Sequence, residues 1–205
     1  NTSSIGGNVI KRVFEDKDGI IWIVTRGSGI YLFDRSSDKF TLFKPDTDIV
    51  TNFGDAWGLS EDKEGNIWIG IDTDGKLLRY EKRTRTLTSE DYTKEISATI
   101  GYNKSARSVN CIYKDRSGNL WIGSSEGLHQ LHLTSPGAGK QKKVSFTTYR
   151  HDAGNPQTLA SNSFAENGIL EDHKGIIWTG GLYGLSELNP KTGVCKRYLH
   201  NPHDP

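Results

Sequence analysis

The stretch Glu61-Asp62-Lys63-Glu64-Gly65-Asn66-Ile67-Trp68 decides the fold, because its pattern recurs in phase along the chain. The pattern is a turn that begins with Asp and closes on Gly, followed by two residues and then Trp. The other copies are residues 15–22, 114–121 and 171–178. Repeats of about 40–50 residues are typical of β-propellers, in which each repeat forms one four-stranded blade.

Each repeat divides into four segments with the composition of β-strands. The first strands are predicted at residues 9–15, 55–61, 109–114 and 166–171, each ending just before the turn. The turn Asp can accept hydrogen bonds from the turn amides, and Gly adopts the positive φ that closes the turn. The second strand carries the Trp, whose large apolar ring suits packing between neighbouring sheets. The fourth strand is more polar, as an outer edge strand should be.

The predicted fold class is all-β, with four four-stranded antiparallel propeller blades and no separate second domain. The predicted blades are residues 1–46, 47–100, 101–154 and 155–205. The two ends of the chain match successive parts of the linker at residues 151–162, so the sequence begins and ends at nearly the same phase of the repeat. Because the sequence contains no Met, we expect it to be a processed product or a piece of a larger protein.

Composition excludes several classes of function. Lys and Arg number 26 against 25 Asp and Glu, so the net charge of +1 gives no basic surface for nucleic acid or for an anionic membrane. No apolar run is long enough to span a bilayer, and no signal peptide is visible. The two cysteines, Cys111 and Cys195, fall at different phases of the repeat and are expected to be unbridged.

The sequence predicts neither a metal site nor a cofactor. The stretches that begin at Asp16 and Asp72 resemble the start of a calcium loop, but Gly27 and Arg83 stand at the twelfth position, where such a loop needs Glu. The histidines lack zinc-ligand spacing. Acidic residues that recur in every blade belong to the architecture, whereas a catalytic pair should occur in one blade only. We therefore predict that this section is not an enzyme.

The repeated motif, together with the linker His151-Asp152-Ala153-Gly154-Asn155-Pro156-Gln157-Thr158-Leu159, resembles the two-component regulator propeller repeat. The resemblance covers essentially the whole chain. It implies a section of a seven-bladed propeller in the periplasmic sensor region of a hybrid two-component histidine kinase, which detects glycan breakdown products. It also implies a periplasmic location, further blades in the parent chain and a homodimeric parent. The longer loop at residues 135–143 departs from the compact repeat and is expected at the surface.

Ligand recognition is expected where the repeats differ, on the face formed by the inter-blade linkers and by the loops after the second strands. Trp57 has no aromatic counterpart, since the matched positions hold Lys11, Asn110 and Asn167. An unrepeated Trp near charged groups suits a sugar, which is bound by stacking and by hydrogen bonds. The candidate ligand-binding residues are Arg26, Trp57, Asp72, Arg107, Glu126 and Tyr183.

Two alternatives to an oligosaccharide sensor remain open at this point. The first is a structural or protein-interaction propeller that has no small-molecule site in this section. The second is a propeller glycoside hydrolase or lyase. No membrane contact and no nucleic-acid partner are expected for this section in any of the three cases.

Overall fold

The computed structural model of the chain describes residues 4–46, 49, 52–72, 75–92, 108–134, 143–201 and 203. They form four antiparallel sheets, which we call blades 1 to 4, each built from four strands that are consecutive in sequence. The predicted all-β fold class, with four four-stranded antiparallel blades, is confirmed. Membership of a seven-bladed ring stays a prediction. The strands are β1 (Ile10–Glu15), β2 (Ile21–Thr25), β3 (Gly29–Asp34), β4 (Lys39–Leu42), β5 (Ala56–Glu61), β6 (Ile67–Ile71), β7 (Leu77–Glu81), β8 (Thr86–Glu90), β9 (Val109–Lys114), β10 (Leu120–Ser124), β11 (Gly127–Thr134), β12 (Lys143–Tyr149), β13 (Phe164–Glu171), β14 (Ile177–Gly181), β15 (Gly184–Leu188) and β16 (Cys195–Tyr198).

The first strands lie close to their predicted positions, and the differences have local causes. β5 begins at Ala56 because the preceding residues form a short 3-10 turn, in which the Asn52 side chain accepts the Gly54 N–H. β13 begins earlier than predicted, since its pairing with β14 resumes at Phe164 beyond an irregularity in register. Asn167, with a φ of 58°, lies within that irregularity and displaces the strand as a β-bulge does.

One set of hydrogen bonds explains the repeated motif. In each blade, one carboxylate oxygen of the turn Asp accepts the N–H of the residue that follows the turn Gly, at 2.7–3.0 Å. The other carboxylate oxygen accepts the indole N–H of the Trp on the second strand, at 2.8–3.0 Å. The turn glycines have φ between 77° and 90°, a conformation that side chains with a Cβ rarely adopt. The Asp therefore fixes both the turn and the ring that the blade presents to its neighbour.

Each inter-blade core contains one of these indoles. Trp22 of blade 1 packs with Leu59, Ile67 and Ile69 of blade 2. Trp68 and Trp121 occupy the same place at the next two junctions, and all three rings are almost completely buried. The predicted packing of the indoles between neighbouring sheets is thus confirmed for blades 1 to 3.

Blade 4 presents its equivalent ring to an uncovered surface. Trp178 is only partly buried and stacks on Tyr198, with the ring centroids 5.6 Å apart. Leu170 on the same sheet is 59% exposed. In the part of the chain that the structure describes, no helix is both long and apolar enough to cross a membrane. Cys111 and Cys195 are buried free thiols, as expected.

A second contact links neighbouring blades at the turn end, where the Asp-x-x-Gly turns lie. The backbone N–H groups of Lys17 and Arg116 donate to the carboxylates of Glu61 and Glu171 in the next blade, at 2.8 and 2.7 Å. Blade 3 has Lys114 where these acceptors stand, so the junction between blades 2 and 3 lacks this bond. A cavity of about 310 Å³ opens at that junction, beside turn residues 62–64 and 118–120 and residues 131–134 of β11.

Candidate functional site

The first strands form the inner edge of the four blades, because β1, β5, β9 and β13 lie against one another in succession. Register places Lys11, Trp57, Asn110 and Asn167 at equivalent positions of these strands. Side chains of three different types therefore occupy one row of the inner edge. We call this row, together with Arg12 beside it, the axial site.

Trp57 lies beneath a cation. The Lys11 ammonium is 3.8 Å from the centroid of the Trp57 ring, close enough for a cation–π interaction. Asp72, whose backbone N–H donates to Asp55 O at 3.0 Å, has its carboxylate near the same ammonium. The pKa of Asp72 is raised, chiefly by burial; the charge of Lys11 opposes this and the charge of Asp55 adds to it. Trp57 and Asp72 of blade 2 thus both lie near the Lys11 ammonium of blade 1.

Arg12 reaches from blade 1 to all three other blades. Its Nε donates to Leu59 O at 3.0 Å, and its two terminal nitrogens donate to Asn167 Oδ1 at 2.5 Å and to Ile112 O at 3.5 Å. Burial lowers the pKa of the Arg12 guanidinium. The equivalent positions of the other blades hold Gly58, Cys111 and Gly168.

The small residues at those equivalent positions have a packing reason. A Cβ added to Gly58 would come within 2.7 Å of Ile112 Cγ1 in the neighbouring blade. Space for a long side chain at this level of the inner edge therefore does not exist in blade 2. Arg12 is the only long side chain among these four equivalent positions, and its guanidinium lies where the first strands converge.

The two asparagines of the axial site differ in how their amides are satisfied. Asn110 Nδ2 donates to Phe164 O at 3.1 Å, but Asn110 Oδ1 is buried and accepts no hydrogen bond from the described residues. Asn167 is exposed, and its Oδ1 accepts from Arg12. Buried polar atoms without a partner are rare in folded proteins and require an explanation.

The other predicted site residues are not gathered here. Arg26 is exposed, and its backbone N–H donates to Val9 O at 2.9 Å. Glu126 is engaged by Arg150, with a distance of 3.0 Å between Oε2 and Nη1. Tyr183 is 72% exposed on the β14–β15 turn. Arg107 lies outside the described residues.

Three carboxylates converge at the turn end of blades 1 and 2, and a lysine occupies the space between them. Lys82 Nζ is 3.0 Å from Asp16 Oδ2, 2.5 Å from Asp18 Oδ2 and 2.9 Å from Glu61 Oε1. Burial opposes protonation of Lys82, but the hydrogen bonds that its ammonium donates to these three acids raise its pKa. This arrangement of oxygens would otherwise suit a divalent cation. In this chain the Lys82 ammonium supplies the positive charge instead, and its ion pairs link blade 2 to blade 1.

The sequence alone pointed to Trp57 as a candidate ligand-binding residue, but it did not point to Arg12 or Lys11. The signal for both was present, because each stands where the repeat has residues of a different type. Arg12 was the stronger case, since a long cation replaces Gly or Cys in the other three blades.

The comparisons with known proteins agree with this fold. Four consecutive four-stranded sheets with conserved geometry of turn and indole define a β-propeller section. Two segments, residues 4–27 and 103–126, match the family described as the two component regulator propeller. The resemblance predicted from the sequence is therefore confirmed. No curated protein matches the sequence.

Solved structures share the fold at low sequence identity. The extracellular domain of BT3049 from B. thetaiotaomicron, assigned to a hybrid two component system, is 23% identical with a TM-score of 0.66 over 100% of this chain and 24% of that chain. The corresponding domain of BT4673 from the same organism is 22% identical, with a TM-score of 0.62, over 96% and 22% of the two chains. A virginiamycin B lyase from Staphylococcus aureus is 12% identical, with a TM-score of 0.58, over 93% and 55%. The chain thus spans about a quarter of the BT3049 chain.

Proposed function

We propose that the chain is a ligand-recognition section of the extracytoplasmic sensor propeller of a hybrid two-component signalling protein, and that it detects a glycan-derived oligosaccharide. The match to the regulator propeller family and the likeness to extracellular sensor domains support the signalling context. The proposal includes a periplasmic location and a homodimeric parent with a histidine kinase. A ligand could then signal by favouring one packing of two sensor chains over another.

The observation that carries the proposal is the axial site itself. Five residues that differ between the blades lie together on the inner edge: an indole, two cations and two amides. Saccharides are recognised by an aromatic face together with a few polar groups of this kind. Repeated residues such as Asp62 are instead engaged in the blade's own turn and indole bonds.

Further propeller blades are part of the same proposal. Trp22, Trp68 and Trp121 are each covered by the next blade, whereas Trp178 and Leu170 lie on a surface with no described neighbour. An apolar sheet face of this type is normally buried in a repeat protein. We propose that another blade with an equivalent first strand covers it in the parent protein.

A non-enzymatic role fits the acids best. The four turn Asp carboxylates accept indole N–H groups, and Glu126 is held by Arg150. Asp72 is the remaining predicted site acid, and its pKa is raised by burial in the way that a general acid requires. It therefore provides the sharpest test against catalysis.

Titration calorimetry of the chain with a panel of oligosaccharides tests the proposal. At least one member should bind, and Trp57→Ala should weaken that binding about tenfold or more, which corresponds to about 1.4 kcal/mol. Phe40→Ala is the matched control, because Phe40 packs against Phe33 at the outer edge of blade 1, away from the axial site. Failure of every oligosaccharide to bind would contradict recognition by this section.

The same panel tests the enzymatic alternative. Incubation followed by product analysis should show no cleavage of any member. Hydrolysis or elimination that is abolished by Asp72→Asn or Glu126→Gln would replace the proposed function by a catalytic one.

A further inference from the structure

Arg12 carries a positive charge that the described protein does not neutralise. Its three hydrogen-bond acceptors are two backbone carbonyls and the amide oxygen of Asn167, all of them uncharged. No carboxylate among the described residues forms an ion pair with it. A partly buried guanidinium loses hydration, and neutral acceptors compensate for this less well than an anion does.

Other arginines of the described residues form ion pairs where Arg12 does not. Arg35, Arg79, Arg116 and Arg150 each form an ion pair with a Glu within 3.2 Å. Arg12 is more enclosed than the exposed Arg35, yet it lacks such a partner. The guanidinium has five N–H groups in a planar fork, and only three hydrogen bonds from it are formed here.

The surroundings of Arg12 can receive a ligand. Asn167, which now accepts from the guanidinium, is exposed and lies on an irregular part of β13 with a φ of 58°. Asn110 Oδ1, at the equivalent position of blade 3, is buried without a hydrogen-bond donor among the described residues. Lys11, at the position next to Arg12, adds a second positive charge, and Asp72 is close enough to interact with it.

We propose that the axial site recognises an acidic saccharide, and that Arg12 binds the carboxylate of a uronic acid residue. The carboxylate replaces Asn167 Oδ1 on the guanidinium fork, where two parallel charge-assisted hydrogen bonds can form. This inference rests on the proposed function, since it specifies the chemical class of the ligand at the site already described.

The decisive comparison uses uronic acid oligosaccharides and the same oligosaccharides after chemical reduction of their carboxyl groups. The two series differ in charge but share linkage and size. Calorimetry of the chain should give at least tenfold tighter binding for the acidic member of the best pair. Arg12→Gln should remove most of this preference, and Arg12→Lys, which keeps the charge but not the fork, should retain part of it.

Two controls separate loss of recognition from loss of structure. Arg83→Gln is the matched variant, because the Arg83 side chain is 87% exposed on a turn outside the axial site, and it should bind like the parent chain. Tryptophan fluorescence and circular dichroism report whether Arg12→Gln has folded. The comparison of the two series on the unmodified chain needs no variant at all.

Each outcome bears on a different claim. Equal binding of the acidic and reduced series, or preference for the reduced one, overturns the acidic ligand and leaves oligosaccharide recognition intact. An acidic preference that survives in folded Arg12→Gln overturns the role of Arg12. Failure of both series to bind overturns this inference, whereas the proposed function fails only if no other oligosaccharide of the panel binds either.

Discussion

Replacing Asp62 with Ala should strongly destabilise the chain. Asp62 is 4% exposed and accepts four hydrogen bonds, from the backbone N–H groups of Glu64 and Asn66, from Asn66 Nδ2 and from Trp68 Nε1. The Trp68 ring is fully buried, so its N–H would find no water. An unsatisfied buried donor costs about 1–3 kcal/mol and each lost bond to a charged acceptor adds to this, which gives a total loss of about 3–5 kcal/mol.

Urea unfolding at pH 7, followed by tryptophan fluorescence, measures this loss. Asp172→Ala is the matched control, because Asp172 makes the same bonds to its turn and to Trp178. Trp178 is only partly buried, so water can replace the lost acceptor and the destabilisation should be smaller. If Asp172→Ala lowers the free energy of unfolding as much as Asp62→Ala does, burial of the indole N–H is not the cause and the reasoning fails.

Three further changes test the packing of the blades. Burial, assisted by the charge of Arg150, lowers the pKa of His129 to about 3; stability should therefore be complete above the unfolded pKa of about 6.5 and fall by about 1.4 kcal/mol per pH unit as the pH drops below it. Urea midpoints at pH 7 and 5 should show this loss, and His129→Gln should abolish it. Lys114→Glu should restore the missing acceptor between blades 2 and 3 and raise the free energy of unfolding by about 1 kcal/mol, an effect that Lys114→Ala should not have. Lys82→Met should lower it by about 2 kcal/mol, since two buried carboxylates lose their counter-ion; an unchanged urea midpoint would contradict that role.

The fold could be predicted from the sequence because its determinants are local and repeated. The Asp-x-x-Gly turn, the alternation of apolar residues and the position of the Trp all lie within eight residues of one another. The hydrogen bond between Asp62 and Trp68 was not predicted, although the spacing is constant in all four copies. Spacing alone does not show that a turn carboxylate and a strand indole meet in space; the geometry of the turn decides it.

The axial site was predicted only in part, for a different physical reason. Trp57 stood out by its residue type, but its contact with Lys11 crosses from blade 2 to blade 1 and depends on how the first strands approach each other. Arg12 contacts Asn167, which is 155 positions away in sequence. No local pattern encodes such a contact. It follows from the convergence of four inner strands, which only the assembled blades reveal.

For the proposed recognition role, departure from the repeat selects candidate residues but does not by itself identify one. Glu126 departs from the repeat, yet its carboxylate is already neutralised by Arg150. Lys82 is likewise engaged already, because its ammonium is surrounded by three acids. Arg12 differs from both, because its acceptors are neutral and its fork has donors to spare. The residues that bind a partner should be those that break the repeat and still have unmet electrostatic or hydrogen-bonding capacity, and by this criterion Arg12 ranks above every residue predicted from sequence alone.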